Sequence, residues 1–198
     1  SFCNRVQIKT PQGVKWLTVP IVRSSRGLIK EAKIDNTSNW RKDHLKSFEL
    51  NYKRAPFYAD MLSLLENIYN QETDLLSDFN IYAVGLITSY LGLSCQFLKS
   101  SNLSVAGKAS DKLIGIVKEV KGSIYLTGHG AKNYLEYEKF EAQGIQVQYI
   151  DYNIKQYNQF FKEFTTYVSI LDLIAHNGYN SADLLKSKSL NYREFIHE

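Results

Sequence analysis

A glycine-rich turn in the second half of the sequence has the residue types best suited to bind a ligand. Thr127-Gly128-His129-Gly130 follows a short apolar segment and precedes a helical pattern. Glycines let a ligand approach the backbone closely, and free N–H groups at a helix start attract anions. A histidine, whose unperturbed pKa is about 6.5, can donate a proton or contact a phosphate. An ordinary strand-to-helix turn is the competing interpretation. The dinucleotide fingerprint is excluded, because Asn133 stands where its third glycine would be.

Two further loops supply polar groups that the predicted topology brings to the same edge. Ser100 and Lys108 follow a predicted strand at 94–98, and a hydroxyl and an ammonium there could contact phosphate oxygens. Asp151 ends a later strand, where a carboxylate could accept sugar hydroxyls or act as a base. Solvated loops and a structural turn are the alternatives. A P-loop is excluded, since its GxxxxGK[ST] pattern does not occur.

Three titratable residues in helical patterns are further candidates. His44 shares a predicted helical face with aromatic residues, so a partly buried structural histidine competes with a catalyst. Asp172 lies in the apolar run 168–175, and a buried aspartate needs a partner. Ser169 either bonds to it locally or caps the helix. His176 comes at a helix end, where a histidine suits the helix dipole.

Composition sets the class of protein. The chain has 198 residues, 44% hydrophobic and 22% charged, which is enough for a sizeable core. The net charge of +4, from 24 basic and 20 acidic residues, favours an anionic ligand only weakly and indicates no nucleic-acid partner. Cys3 and Cys95 have no metal-ligand spacing. No apolar run approaches the ~20 residues of a membrane span, and no signal peptide is recognised. We therefore expect a cytoplasmic protein.

The apolar patterns predict an α/β fold. An amino-terminal β-hairpin around Pro11-Gln12-Gly13 and a helical segment are followed by a three-layer parallel βαβ unit of the Rossmann-like or HUP-like type. The predicted strands are 6–9, 14–22, 33–35, 94–98, 123–126 and 145–150, and the predicted helices begin near 40, 56 and 74 and then cover 110–120, 130–143, 169–177 and 181–186.

Ordered segments along nearly the whole chain carry a family resemblance. They are Asn4-Arg5, Ile8-Lys9-Thr10-Pro11-Gln12-Gly13, Trp16-Leu17-Thr18-Val19-Pro20, Ile34-Asp35-Asn36, Trp40-Arg41-Lys42 with His44-Leu45-Lys46, Tyr52 with Ala55-Pro56, Tyr125-Leu126-Thr127-Gly128, residues 140–145, and Ser169-Ile170-Leu171-Asp172-Leu173. This set resembles the WbqC-like proteins of bacteria. The resemblance implies a single WbqC-like domain over 1–198. The family's Q-P-x-Y-x-P-W-x-G-Y segment does not occur, so the resemblance also implies that an amino-terminal strand and loop are missing.

The resemblance further implies a role in bacterial surface-polysaccharide, O-antigen-type, biosynthesis. The expected activity is group transfer to a sugar or nucleotide-sugar, with that small molecule as the binding partner. The alternatives are a non-catalytic nucleotide-sugar-binding protein and, by fold analogy alone, a HUP-type nucleotidyltransferase. The resemblance supplies no catalytic set, cofactor or oligomeric state.

The site hypothesis combines these candidates in one crevice. Gly128 and His129 contact phosphate or acyl oxygen, and Arg5 joins them because arginine suits bidentate phosphate contacts. Members of the family that this chain resembles often have a more Ser-Gly-Pro-like sequence here, so the resemblance favours Gly128 and the backbone over His129. The candidate catalytic residues are His129, His44 and Asp172, and the candidate ligand-binding residues are Asn4, Arg5, Ser100, Lys108, Gly128, Gly130 and Asp151.

Overall fold

The computed structural model describes residues 3–22, 27–152, 154–161 and 163–196. The chain forms two compact units. The first contains Ser1–Phe97 and Lys155–Leu185, and the second contains Leu98–Ile154 and Lys186–Glu198. The second unit is therefore inserted into the first along the chain.

The structure is a mixed α/β fold. The strands are β1 Arg5–Thr10, β2 Gly13–Thr18, β3 Ile124–Thr127, β4 Gln146–Asp151 and β5 Lys188–Asn191. The helices are α1 Trp40–Tyr52, α2 Tyr58–Tyr69, α3 Leu76–Tyr90, α4 Ala109–Glu119, α5 Tyr137–Glu141, α6 Ile170–Asn177, α7 Ser181–Leu184 and α8 Tyr192–Phe195. Within the described ranges, no helix has the length and apolarity that crossing a membrane requires.

The amino-terminal hairpin of the first unit is confirmed. β1 and β2 pair antiparallel, with Lys9 opposite Val14 and Thr10 opposite Gly13. Gly13 has φ +112°, which favours glycine at the end of this turn. The predicted second strand reached residue 22, but β2 ends at Thr18, and Ile21 forms an isolated bridge with Ile34 instead. The hairpin turn is thus a fixed feature close to the start of the chain.

The helices of the first unit bury the faces that their apolar periodicity predicts. In α1 the buried residues are Trp40, His44, Phe48 and Tyr52, and in α2 they are Met61, Leu64, Leu65 and Ile68. The α6 helix packs against the same core through Ile174, which is fully buried. Ser169 is its N-cap, because the Ser169 side chain accepts the Leu171 N–H. Helices α1, α2 and α6 therefore share one apolar core.

The second unit is built on a three-stranded sheet in the order β3-β4-β5. β3 and β4 are parallel, with Ile124 opposite Gln146, whereas β5 runs antiparallel to β4. The link between β3 and β4 is a 3-10 helix, His129–Asn133, followed by α5, so the predicted continuous helix 130–143 is wrong. The apolar sequence of β3 predicts a buried strand, but Ile124 and Leu126 are about half exposed.

The predicted strand at 94–98 is wrong. Residues 93–99 have no regular structure, and Phe97 and Leu98 are exposed. An apolar pattern forms a strand only where a neighbouring strand pairs with it, and no partner strand lies along this segment in the described chain. The sheet therefore has one parallel pair and one antiparallel edge, which does not confirm the Rossmann-like or HUP-like arrangement.

Candidate functional site

The hairpin turn of the first unit and the irregular segment before α6 line two adjoining cavities. The larger has a volume of about 540 Å³ and the smaller about 210 Å³, and both are bounded by Pro11 and Phe161. The larger is also lined by Lys9, Thr10, Gln12, Glu163 and Thr165, and the smaller by Asn51, Lys53, Arg54 and Phe160. We call this pair of cavities the Phe161 groove. The larger cavity falls within the usual range of small-molecule sites, about 300–1,000 Å³.

Phe161 has a strained backbone. Its φ is +65°, a left-handed value that a bulky side chain rarely adopts. Such a conformation costs about 1–3 kcal/mol and persists only where surrounding contacts hold it. The Lys9 ammonium supplies such contacts, since its Nζ donates to the Phe161 carbonyl at 3.2 Å and to the Glu163 carbonyl. Strain of this kind concentrates at ligand sites, which supports a functional role for the groove.

Lys9 is buried beneath the larger cavity, and each N–H of its ammonium group has a hydrogen-bond acceptor. Only 5% of the residue is exposed. In addition to the two carbonyls, its Nζ donates to Gln159 Oε1 at 3.0 Å. An ammonium has three N–H donors and no lone pair, so these three acceptors use its whole capacity. The geometry therefore supports Lys9 as the anchor of the irregular segment rather than as a nucleophile.

Asp172 is the anionic counterpart of Lys9. It is 1% exposed and accepts hydrogen bonds from Tyr52 Oη at 2.7 Å, Tyr157 Oη at 2.7 Å and Gln159 Nε2 at 3.2 Å. Gln159 contacts the lysine with its oxygen and the carboxylate with its nitrogen, so it connects the two opposite charges. Burial, and next the Asp172 charge, raise the pKa of both tyrosines. The phenols stay protonated and act as donors.

His176 holds the same segment through both of its ring nitrogens. Its Nε2 accepts the Phe160 backbone N–H at 3.3 Å, and its Nδ1 lies 2.8 Å from the Asp172 backbone carbonyl. Because an amide N–H can only donate, Nε2 carries no proton and Nδ1–H is the donor. The sequence favoured a charge–dipole role at the helix end. These hydrogen bonds instead connect the end of α6 to the segment that carries Phe160.

Asp172 therefore lies under the Phe161 groove with its oxygens already engaged. This geometry supports a positioning role, in which Asp172 fixes the segment that carries Phe161. The sequence indicated that this aspartate needs a partner, and the partners are Tyr52, Tyr157 and Gln159.

His44 lies in an aromatic cluster of the first unit. It is 8% exposed, its Nδ1 is 2.9 Å from Tyr69 Oη, and its ring packs edge-on against Trp40. Burial lowers the pKa of His44, and the Thr18 backbone partly opposes that shift. His44 thus shares the predicted helical face but contacts none of the other candidate residues of the first unit that the structure describes.

Asn4 and Arg5 belong to the first unit and complete the hairpin. The Asn4 side chain donates to the Val19 carbonyl at 3.0 Å, and Val19 N–H donates to the Asn4 carbonyl at 2.8 Å. The Arg5 guanidinium lies 4.3 Å from the centroid of the Trp16 ring. These contacts account for both residues structurally, and their expected phosphate contact stays a prediction.

The glycine-rich turn lies in the second unit, at the shared edge of β3 and β4. His129 Nε2 donates to the Ile150 carbonyl at 2.8 Å, and its ring packs on Phe195 with centroids 4.7 Å apart. Asp151 is the exposed last residue of β4, so His129 and Asp151 lie at the same edge of the sheet. This arrangement leaves His129 Nδ1 as the ring nitrogen available to a ligand.

Neither glycine of this turn is demanded by the fold. Gly128 has φ −92°, and an added Cβ at Gly128 or Gly130 would meet no atom within 4 Å. The space beside both glycines is therefore open to a ligand. However, the turn is followed by a five-residue 3-10 helix and not by a long α-helix. The helix start that was expected to attract an anion is therefore not present at this turn.

Ser100 and Lys108 are exposed residues of the second unit. Ser100 begins the 3-10 helix Ser100–Asn102, and Lys108 directly precedes α4. Among the described residues, no hydrogen bond or ion pair joins either side chain to the glycine-rich turn. Because the strand at 94–98 is absent, two strand ends meet at this edge rather than three.

The groove residues Lys53, Arg54, Phe160 and Phe161 were not singled out from the sequence. One local signal was present, because the two adjacent cations Lys53-Arg54 directly follow α1 and precede Pro56. In the described ranges, no cluster of three or more His, Cys, Asp or Glu side chains could hold a metal ion. Lys53 and Arg54 are the groups best placed to hold a phosphate-bearing cofactor or substrate.

Comparison with known proteins identifies relatives. The model of the WbqC-like protein family matches residues 1–184. A protein of Mycobacterium tuberculosis, described as uncharacterized protein Rv1507c, is 33% identical over 187 residues, which cover 92% of this chain and 80% of that protein. No solved structure matches significantly.

Proposed function

The chain belongs to the WbqC-like protein family, and from that premise we propose that it is a group transferase acting on a sugar or nucleotide-sugar. The reaction belongs to bacterial surface-polysaccharide, O-antigen-type, biosynthesis. The Phe161 groove is the proposed substrate site. The observation that carries this choice is the strained Phe161 between a cationic aromatic cavity and a polar one.

The smaller cavity suits the nucleotide part of the substrate. Lys53 and Arg54 are exposed, and neither has an ion-pair partner among the described residues. Guanidinium and ammonium groups bind phosphate oxygens, and the rings of Phe160 and Phe161 offer faces on which a base can stack. A phosphate therefore meets positive charge that the protein has not neutralised.

The larger cavity suits the sugar. Thr10, Gln12 and Thr165 offer hydroxyl and amide groups, which match the mixed donors and acceptors of a sugar ring. Glu163 lines the same cavity, and its backbone is fixed by Lys9. Its carboxylate can take the proton from a sugar hydroxyl or amine as that group attacks the acyl carbon of the donor, and the bond between the acyl group and its carrier breaks so that the carrier leaves with the bonding electrons. Glu163 is thus the proposed general base. Ligand binding at the edge formed by His129 and Asp151 stays a separate prediction.

Binding is tested first, on the full chain. Nucleotide diphosphate-sugars are titrated by calorimetry into the wild-type protein and into a Lys53→Gln/Arg54→Gln double variant. We expect the double variant to bind at least about tenfold more weakly, since each charged contact contributes about 1.5–3 kcal/mol. Lys46→Gln, which removes an exposed cation of α1 outside the groove, is the matched control. Equal affinity of the double variant and the wild type would refute the site.

Catalysis is tested with Glu163→Gln. Loss of a general base lowers the rate by about 10²–10⁴-fold, whereas nucleotide-sugar affinity should stay within about twofold. Transfer is followed by mass spectrometry of the sugar with formyl, acetyl and aminoacyl donors. A rate unchanged in Glu163→Gln would remove the carboxylate from the mechanism.

One observation favours a non-catalytic nucleotide-sugar-binding protein as the second candidate. The buried ionisable groups beneath the groove, Lys9, Asp172 and His176, are engaged in internal hydrogen bonds. A protein that binds the nucleotide-sugar but leaves it unchanged with every donor would match this alternative. HUP-type nucleotidyl transfer is weaker, because it rested on fold analogy alone and the Rossmann-like or HUP-like arrangement is not confirmed. It requires Mg²⁺- and ATP-dependent release of pyrophosphate, which is directly measurable.

A further inference from the structure

A second polar cavity of the first unit lies beside the amino-terminal end of α1. Its volume is about 730 Å³, and it is lined by Asn36, Arg41 and residues 69–74. We call it the Arg41 pocket. It shares no lining residue with the Phe161 groove, so it is a separate feature of the molecule.

The walls of the Arg41 pocket are fixed by backbone hydrogen bonds. Ile34 N–H donates to the Asp74 carbonyl at 2.8 Å, and Leu76 N–H donates to the Ala32 carbonyl at 2.9 Å. These bonds tie the link between α2 and α3 to the segment that precedes α1. These backbone hydrogen bonds hold the two walls in place, which lowers the ordering cost of binding.

Arg41 is oriented but not neutralised. Its guanidinium lies 4.4 Å from the centroid of the Trp40 ring, and Nη1 donates to Asn36 Oδ1 at 2.6 Å. The side chain is half-buried, and among the described residues no carboxylate forms an ion pair with it. An arginine held in this way presents its remaining N–H groups in a fixed plane. That plane matches the two oxygens of a carboxylate.

The same pocket carries acidic and neutral polar groups. Asn36 Nδ2 donates to Asp74 Oδ1 at 3.1 Å, so one amide separates the guanidinium from this carboxylate. Asp74 and Glu72 have no ion-pair partner within the described ranges. The rest of the lining is mostly uncharged and polar: Asn70, Gln71 and Thr73. A ligand must therefore bring one anionic group and several hydrogen-bond donors.

We propose that the Arg41 pocket binds a hydroxylated carboxylate of the sugar-acid type. The ligand carboxylate pairs with Arg41, and its hydroxyls donate to Asp74 and Glu72. Hydroxyls also accept from the neighbouring amides, which an ammonium group cannot do. A phosphate dianion fits less well, because the two carboxylates repel it. The proposal concerns a different cavity from the substrate groove and does not depend on the transferase function.

The test compares charged and neutral forms of one sugar on the full chain. Glucuronate and glucose are titrated into isotopically labelled protein and followed by amide NMR. We expect glucuronate to bind at least about tenfold more tightly, the factor that one charged contact supplies. Its shifts should concentrate at Asn36, Arg41 and residues 69–74. Arg41→Gln should abolish the preference, whereas Lys42→Gln, which removes the neighbouring exposed cation, should keep it.

Arg41→Lys provides a second variant that keeps the charge and the aliphatic stem. It should weaken glucuronate binding by about tenfold, because the bidentate fork is lost. Nucleotide-sugar affinity at the Phe161 groove should be unchanged in both Arg41 variants, which separates this proposal from the proposed function. Equal affinities for glucuronate and glucose, no binding of glucuronate, or unchanged affinity in Arg41→Gln would each overturn it. Tighter binding of glycine than of glucuronate would overturn the ligand class.

Discussion

Replacing Tyr52 with phenylalanine probes the buried network beneath the Phe161 groove. The Tyr52 hydroxyl accepts the Lys9 backbone N–H at 2.9 Å and donates to Asp172 at 2.7 Å, and the residue is 1% exposed. Phenylalanine keeps the ring and its packing. It removes one donor from a buried carboxylate and leaves a buried main-chain N–H without a partner.

The structure sets the size of the effect. A hydrogen bond to a charged group contributes about 1.5–3 kcal/mol, and a stranded buried donor costs about 1–3 kcal/mol. Tyr52→Phe should therefore lower the free energy of unfolding by about 3–5 kcal/mol. Tyr157→Phe also removes a hydrogen bond to the Asp172 carboxylate. It leaves no buried donor without a partner, because Gln159 Nε2 still donates to the Thr165 carbonyl at 2.9 Å. Tyr157→Phe should therefore lower the free energy of unfolding by only about 1.5–3 kcal/mol. Tyr167→Phe, at a residue 80% exposed, should change stability by less than about 0.5 kcal/mol.

Tryptophan fluorescence measures this series selectively. The chain has two tryptophans, Trp16 and Trp40, and both lie in the first unit. Urea unfolding followed by their emission therefore reports the unit that contains the network. The dependence of the unfolding free energy on urea should be the same in all variants, since the surface released on unfolding is unchanged. A Tyr52→Phe protein no less stable than Tyr157→Phe would refute the role of the Lys9 backbone donor.

Two other predictions use the same fluorescence assay. Because burial lowers the pKa of His44, this side chain takes up a proton at about pH 6.5 in the unfolded chain but stays neutral at that pH in the native unit. Stability should fall as the pH drops below that value, and His44→Gln should flatten this slope between about pH 5 and 7.5. Gly178 has φ +55°, and an added Cβ would lie 2.5 Å from the Phe57 ring, so Gly178→Ala should cost about 2 kcal/mol or more. Gly85→Ala, in open space within α3, should instead stabilise by about 0.5–1 kcal/mol, and equal effects of the two changes would contradict the close contact at Phe57.

Local patterns were sufficient for the helices of the first unit. The four-residue spacing of Trp40, His44, Phe48 and Tyr52 predicts one shared helical face, and that face is buried. The N-cap at Ser169 was likewise one of two alternatives that its sequence allowed. A helix satisfies its backbone within a short stretch of chain, so its signals are present in that stretch.

Strands of the second unit depended on partners far away in the sequence. Residues 94–98 have an apolar pattern, but the described part of the chain offers no strand to pair with them, whereas the polar β5 pairs with β4. The helix that follows β5 did have a local signal, a capping box between Asn191 and Glu194. Pairing decides whether a pattern becomes a strand, and pairing was not visible in the sequence.

The groove could be predicted only in part for the same reason. That Asp172 needs a partner follows from its apolar surroundings. The sequence does not show that one of these partners is Tyr52, which lies 120 residues earlier. Lys9 and Gln159 are 150 residues apart, and no spacing rule connects them.

The insertion of the second unit into the first has a consequence for synthesis on the ribosome. Tyr52 emerges 120 residues before Asp172. At about 5–20 residues per second, this interval is on the order of ten seconds. During that time the α2 face with Met61 and Leu65 has no Ile174 to cover it. The first half of the nascent chain therefore stays incompletely folded until α6 has been synthesised. Until then its apolar α2 face is exposed and available to chaperones.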